Sequence, residues 1–162
     1  MNPTGDLTLD TLRIYEEEYQ SFLDRWGKGA YVPPPLLLEF IEGLPAQSTI
    51  LDLACGPGQD TRFLRREGFK AVGLDLSSRL LEWAREQSSQ TPLIRADMRR
   101  LPLQKNRFDA VWSAAGLVHL TKADFGSLLK AIRLTMRTGG RFGGTFTFGT
   151  RSGPLKGSWL PG

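Results

Sequence analysis

Cysteine is nearly absent from this chain. Of 162 residues only Cys55 carries a thiol, which excludes an internal disulfide framework and any zinc site built on several thiolates. Histidine is equally scarce, with His119 alone, and no metal site is expected. No apolar run approaches the roughly 20 residues needed to span a bilayer. The opening MNPTGDLTLD is acidic and lacks a signal-peptide core, so a cytoplasmic protein with no membrane partner is expected. There is also no block of like charge, and 40% of residues are hydrophobic against 23% charged, unlike a disordered chain. What remains is one compact domain with a real core.

The net charge of +4 is unevenly spread. Residues 1–45 carry eight acids and three bases, residues 46–90 six of each, and residues 91–162 three acids and twelve bases. The basic last segment could attract an anionic substrate or a nucleic acid. Alternatively, an acidic continuation balances it. The second reading is favoured, and nucleic acid is not expected as a partner, because the bases are scattered through amphipathic segments without exposed aromatics between them.

The first periodic segment places Leu12, Tyr15, Tyr19, Phe22 and Trp26 on one helical face. Pro33 to Pro35 open a second helix, with Leu36 to Ile41 as its apolar surface, and Gly43 and Pro45 end it. Buried strands are expected at Thr49 to Ala54, Ala71 to Leu76, Pro92 to Ala96 and Phe108 to Ala114. The helix from Asp60 to Glu67 should close at Gly68, with Phe69 folding back. Ser77 should cap the helix containing Leu80, Leu81 and Ala84. Thr121 and Asp124, flanked by Leu120 and Phe125, announce a helix whose buried face runs through Phe125, Leu128, Leu129, Ile132 and Met136. Gly139 and Gly140 should end it before a fifth strand, Arg141 to Phe148. The alternation predicts an α/β, Rossmann-like, doubly wound, mostly parallel sheet of about five strands with helices on both faces. The domain is expected over residues 1–150, with a loose tail over residues 151–162.

In such a sheet a ligand sits at the carboxyl ends of the strands, next to the first strand where the order reverses. Here that is Asp52 to Asp60. Gly56 and Gly58 allow a sharp turn and close approach, and the amides opening the next helix favour a negative group. Asp75 ends the second strand 19 residues after Gly56, where a carboxylate can accept hydrogen bonds from both hydroxyls of a ribose. Thr61 occupies the third position of the G-x-G-x-x-G pattern, where dinucleotide folds place Gly or Ala for close packing, which argues against NAD. No Gly-Lys-Ser/Thr follows, so a P-loop is excluded.

The run Ile50-Leu51-Asp52-Leu53-Ala54-Cys55-Gly56-Pro57-Gly58 resembles the first motif of class I S-adenosylmethionine-dependent methyltransferases. Val72-Gly73-Leu74-Asp75-Leu76-Ser77 is similar to the second motif. Ala96-Asp97-Met98 followed by Leu101-Pro102-Leu103 resembles the third. Phe108-Asp109-Ala110-Val111 is similar to the fourth strand, and Met136-Arg137-Thr138-Gly139-Gly140 to the turn before the fifth.

The resemblance implies S-adenosyl-L-methionine as cofactor and roles residue by residue. Asp52, Ala54, Gly56 and Gly58 would surround its methionine part. Asp75 would hold the ribose, and Leu76 would pack on the adenine. Asp97 would accept from the adenine amino group, beside the backbone of Met98. Ala114 and Ala115 would line the floor near the methyl group, and Tyr15 and Tyr19 would lie over the cofactor as a lid. Other readings stand beside these. Asp52 could cap the glycine turn, Asp75 the following helix, and the two tyrosines could be core packing. Cys55, Trp83 and Trp112 read as packing residues. His119, in the loop after the fourth strand, could be a general base or could fix its loop by hydrogen bonds.

The expected activity is methyl transfer to a small-molecule acceptor, with a non-catalytic cofactor-binding or interaction module as the alternative and an NAD-dependent oxidoreductase behind it. The family's usual substrate-side elements after the fifth strand would be missing, so a truncated form is expected. Gly143 and Gly144 would weaken the fifth strand, whose open edge could drive self-association.

Overall fold

The computed structural model describes residues 13–145. Leu12, Phe146, Phe148 and the proposed tail over 151–162 lie outside the described residues. Five strands, β1 Thr49–Leu53, β2 Lys70–Asp75, β3 Leu93–Arg95, β4 Phe108–Ala114 and β5 Met136–Thr145, form one sheet in the order β3-β2-β1-β4-β5. Every pairing is parallel. The order reverses between β1 and β4, which makes the carboxyl end of β1 the switch point.

The alternation along each strand assigns its side chains to two cores. Ile50, Ala71, Ala110 and Trp112 face α2 (Pro35–Ile41) and α3 (Gln59–Arg66), meeting Leu37, Phe40, Phe63 and Leu64. Leu51, Leu53, Leu74 and Val111 face the opposite way and meet Leu128 and Ile132 of α5 (Lys122–Thr135). A fourth helix, α4 (Ser78–Gln87), buries Leu80, Leu81 and Ala84. No helix among the described residues is long and apolar enough to cross a membrane.

The local signals that end and start these helices act as expected. Gly68 takes φ 89°, and the amide of Phe69 donates to the carbonyl of Leu64 at 3.1 Å, the long bond of a left-handed helix cap. Ser77 Oγ accepts from the amide of Leu80 at 3.3 Å. Thr121 Oγ1 accepts from the amide of Asp124 at 3.1 Å, and Leu120 and Phe125 both pack on the second core.

Three expectations need correction. The N-terminal stripe is broken. Residues 13–17 are helical, α1 spans Tyr19–Phe22, and the chain then widens into a π turn, Leu23–Gly27. The wider turn rotates the following side chains out of the 3.6-residue register, so Leu23 is buried and Trp26 is 55% exposed. In α2 only Leu37 and Phe40 are buried, whereas Leu36 and Leu38 face outward.

At the other end of the chain, α5 stops at Thr135, ahead of the glycine pair. The amides of Asn106 and Arg107 donate to the carbonyls of Leu134 and Thr135 at 2.9 and 2.7 Å, which draws the last turn of the helix into the β4 approach. Met136 is already strand, and Leu129 is 36% exposed. Gly139, at φ 79°, and Gly140 instead form an irregularity in β5: Phe108 pairs with Met136 but Ala110 with Arg141.

Gly143 and Gly144 have packing reasons of their own. A Cβ at Gly143 would lie 2.5 Å from the Phe40 ring, and one at Gly144 would lie 2.6 Å from the carbonyl oxygen of Ser113. Among the described residues β5 has a partner on one side only.

Candidate functional site

At the carboxyl edge of the sheet the chain turns through a run of left-handed residues. Ala54, Gly56 and Gly58 have φ of 62°, 51° and 72°, and Ala115, just past β4, has φ 56°. Left-handed backbone costs a non-glycine residue roughly 1–2 kcal/mol, and such strain clusters where a ligand must be approached closely. The reason for small side chains is also visible. A Cβ on Gly116 would stand 2.2 Å from Cβ of Ala54, so the loop leaving β4 passes directly over the Ala54 methyl. Ser113 Oγ donates to the carbonyl of Leu53 at 2.7 Å, and the amide of Ala115 donates to Thr145 Oγ1 at 2.8 Å, holding both loops.

Three carboxylates gather at this edge. Asp75 Oδ2 accepts from the amide of Gly56 at 2.8 Å and Oδ1 from the amide of Ser77 at 2.9 Å. Asp75 thus ties the glycine turn to the start of α4. Burial pushes its carboxyl up, against the lowering effect of the amides of Ser77, Gly56 and Leu76. Asp52 is fully buried and accepts from Thr61 Oγ1. Its carboxyl is held well above the usual range, first by burial and then by the neighbouring charge of Asp60.

Asp60, in the first turn of α3, accepts from Trp112 Nε1 at 2.6 Å and from the hydroxyl of Tyr31. Burial makes Asp52 and Asp75 costly to ionise, no cationic side chain among the described residues pairs with either, and the cluster suits a ligand bearing positive charge. Trp112 is core packing, as expected, with its indole N–H serving this acid. Cys55 is buried, and burial pushes its thiol up, so it is a packing residue and not an activated nucleophile.

Thr61 is fully buried beneath the turn. The close packing that a glycine or alanine there would serve is obtained from β2, because a Cβ on Gly73 would lie 3.0 Å from Thr61 Oγ1 and 2.7 Å from Cys55 Sγ.

The remaining sequence candidates border the same edge. Asp97 follows β3 and caps a short turn, Met98–Arg100. Its carboxylate also meets the Arg99 guanidinium at 2.7 Å. Met98 leans on the second core and Ala114 on the first. The carbonyl of Leu76 accepts from Arg95 Nε at 3.2 Å. Tyr15 is tilted against Phe22 with ring centroids 4.5 Å apart, and burial followed by the charge of Asp75 raises its hydroxyl pKa. Tyr19 lies under the Arg79 guanidinium, 4.7 Å from its ring centroid. His119 ends a short 3-10 turn, Gly116–His119, on the same edge; its side chain lies outside the described residues.

Glu16 was not singled out in the sequence. Its Oε1 accepts from the amide of Ser78 at 2.8 Å and from Ser77 Oγ at 2.9 Å, and its Oε2 lies 3.6 Å from Arg79 Nε. This docks the N-terminal helical stretch on the start of α4. Asp60 and Tyr31 were also missed as a pair. Their contact joins positions 29 residues apart, for which the sequence carries no local signal.

Comparison with known proteins agrees with this geometry. The family described as "Methyltransferase domain" matches residues 50–140. The chain is 36% identical over 105 residues to a malonyl-[acyl-carrier protein] O-methyltransferase of Pseudescherichia vulneris, covering 65% of this chain and 40% of the relative. An S-adenosylmethionine-dependent methyltransferase of Mesorhizobium loti superposes with a TM-score of 0.58 at 30% identity, covering 67% of this chain and 50% of that one. The PH0226 protein of Pyrococcus horikoshii gives a TM-score of 0.61 at 28% identity, covering 80% and 55%. The chain thus spans about half or less of the length of these proteins. A glycine turn at the switch point, acids closing β1 and β2, and a family match over more than half of the sequence place this chain in the class I S-adenosylmethionine-dependent methyltransferase family.

Proposed function

We propose that the protein is a cytoplasmic methyltransferase that binds S-adenosylmethionine at the carboxyl edge of β1 and β2 and passes its methyl group to a small-molecule acceptor, free or borne on a carrier. The observation that carries this reading is Asp75. Both of its oxygens are oriented by backbone amides, those of Gly56 and Ser77, which poses the carboxylate at the end of β2 to accept from a ribose. In the same reading Gly56, Gly58 and Ala54 let the methionine part approach the backbone, and the acids Asp52 and Asp60 face its ammonium and sulfonium charges. Leu76, Asp97 and Met98 border the adenine. Ala114 and Ala115 leave space near the methyl group, and Tyr15 and Tyr19, docked through Glu16, cover the cofactor. Asp97 would share its carboxylate between Arg99 and the adenine amino group.

A sulfonium is already a good leaving group, so the chief task of the protein is alignment of acceptor and methyl group. One bond breaks at sulfur as one forms at the acceptor; a carboxylate acceptor is already ionised near neutral pH, whereas an alcohol or amine loses a proton in the transfer. His119 is the candidate to receive that proton. The relative named as a malonyl-[acyl-carrier protein] O-methyltransferase supports an oxygen acceptor, and the basic segment from residue 91 would attract an anionic one. The alternative, a cofactor-binding module without turnover, is decided by the same experiment. Methyl-labelled S-adenosylmethionine is incubated with small carboxylic acids, alcohols and amines, with wild type and His119→Ala compared. Label transfer supports the reading, and a loss of transfer in the variant with retained cofactor binding supports the histidine. Cofactor binding without transfer to any acceptor overturns it in favour of the module.

A further inference from the structure

A cavity of about 440 Å³ lies between α3, α4 and residues 27–31, and none of the residues assigned above to the cofactor lines it. Its walls carry Lys28, Arg62 and Arg66 with no acidic side chain among the lining residues. Lys28 is paired with Asp24 at 2.5 Å. The two arginines stand one helical turn apart on α3, where like charges repel. Among the described residues neither has a carboxylate partner. Arg66 is exposed. Arg62 is half-buried, and its guanidinium is anchored by one bond, from Nη1 to the carbonyl of Pro57 at 2.7 Å. Repulsion from Arg66 adds to burial in lowering the pKa of Arg62. Two guanidiniums left facing one cavity in this way match the oxygens of a phosphate, which they can bind through parallel N–H donors.

The rest of the wall is suited to an organic group. Tyr31 and Trp83 supply flat apolar surface, and Gln87 an amide. The indole N–H of Trp83 is buried with no acceptor among the described residues, beside Gly27, where a Cβ would lie 3.3 Å from Nε1. A buried donor without a partner is uncommon in native structures, and here it belongs to a residue of the cavity wall. The volume exceeds that of a bare inorganic anion and falls in the range of small-molecule sites.

We infer that this cavity is a second ligand site, separate from the cofactor edge, which takes a phosphate monoester with a planar organic group. Arg62 and Arg66 hold the phosphate, and Tyr31 and Trp83 flank the organic part.

The test is calorimetric titration of the protein at low ionic strength with phenyl phosphate and with inorganic phosphate. Wild type, Arg66→Gln, Arg62→Gln/Arg66→Gln and Trp83→Leu are compared, each checked for an unchanged thermal transition. Arg66→Gln is the decisive variant for folding, since that side chain makes no hydrogen bond or ion pair among the described residues. The expected result is saturable binding of phenyl phosphate, at least tenfold weaker in Arg66→Gln and lost in the double variant. Inorganic phosphate should bind several-fold more weakly than phenyl phosphate, and Trp83→Leu should remove that difference. No binding to wild type, or equal binding by wild type and Arg66→Gln, overturns the site. Equal affinity for the two phosphates in wild type overturns the organic half of the proposal.

Discussion

Gly73 on β2 leaves the space that Thr61 on α3 occupies: a Cβ at position 73 would stand 3.0 Å from Thr61 Oγ1, 2.7 Å from Cys55 Sγ and 2.8 Å from Leu93 Cδ2. The strand therefore yields where the helix residue is larger than a dinucleotide fold permits, and the freed hydroxyl donates to buried Asp52. Gly73→Ala overpacks this contact and should destabilise the protein by about 1–3 kcal/mol. Denaturant unfolding measures it; a midpoint equal to that of wild type would show that the three neighbours can move apart at no cost.

Asp52 and its surroundings oppose stability in favour of ligand charge. Its folded-state pKa is raised by burial and by Asp60. The penalty for ionising it is absent below the unfolded carboxylate value of about 3.9 and grows as pH rises from there toward the folded value. At pH 7 the ligand-free protein carries that penalty. Asp52→Asn keeps an acceptor for Thr61 and removes the charge, so the thermal midpoint at pH 7 should rise by about 2–4 °C per kcal/mol recovered. Binding of S-adenosylhomocysteine, which keeps the ammonium group, should weaken. A lower midpoint in Asp52→Asn would mean that the ionised acid stabilises the empty protein.

Glu16 fastens the N-terminal helical stretch to α4, and it works in the opposite sense. Burial acts to raise its pKa, but hydrogen bonds from the Ser77 hydroxyl and from the region of Ser78 and Arg79 outweigh it and hold the carboxyl below its ordinary value of 4.5. The contact contributes fully above that value and is lost as pH falls through the lowered one. Glu16→Ala removes hydrogen bonds at the start of α4 like those of a helix cap, about 1 kcal/mol. Faster proteolysis within residues 13–27 and a roughly fivefold loss of cofactor affinity are expected at neutral pH. Unaltered proteolysis would show that Tyr15, Phe22 and Leu23 hold the stretch without it.

Much of this was legible in the sequence where a local signal had a local cause. The positions of the first four strands follow from short apolar runs, and the starts of α4 and α5 from Ser77 and Thr121. The site edge follows from Asp52, Gly56, Gly58 and Asp75, because the carboxyl end of β1 is the switch point in any sheet of this order. What failed depended on distant partners. The π turn at Leu23–Gly27 brings Gly27 against Trp83, where a Cβ would lie 3.3 Å from Nε1. The early end of α5 answers to the amides of Asn106 and Arg107, so the glycine pair that reads as a helix stop serves β5. Gly143 read as a weakness, and its cause is the Phe40 ring, a contact across about a hundred residues.

The central claim is that the edge formed by Asp75, Gly56 and Ser77 holds the ribose of S-adenosylmethionine. Calorimetric titration with S-adenosylhomocysteine, for wild type and Asp75→Ala with NADH as the control ligand, tests it most directly. The account predicts saturable binding to wild type and a loss of roughly 1.5–3 kcal/mol in Asp75→Ala, the size of hydrogen bonds lost to a charged group. It also predicts no comparable binding of NADH. Unchanged affinity in Asp75→Ala, or NADH bound as tightly as S-adenosylhomocysteine, would contradict it.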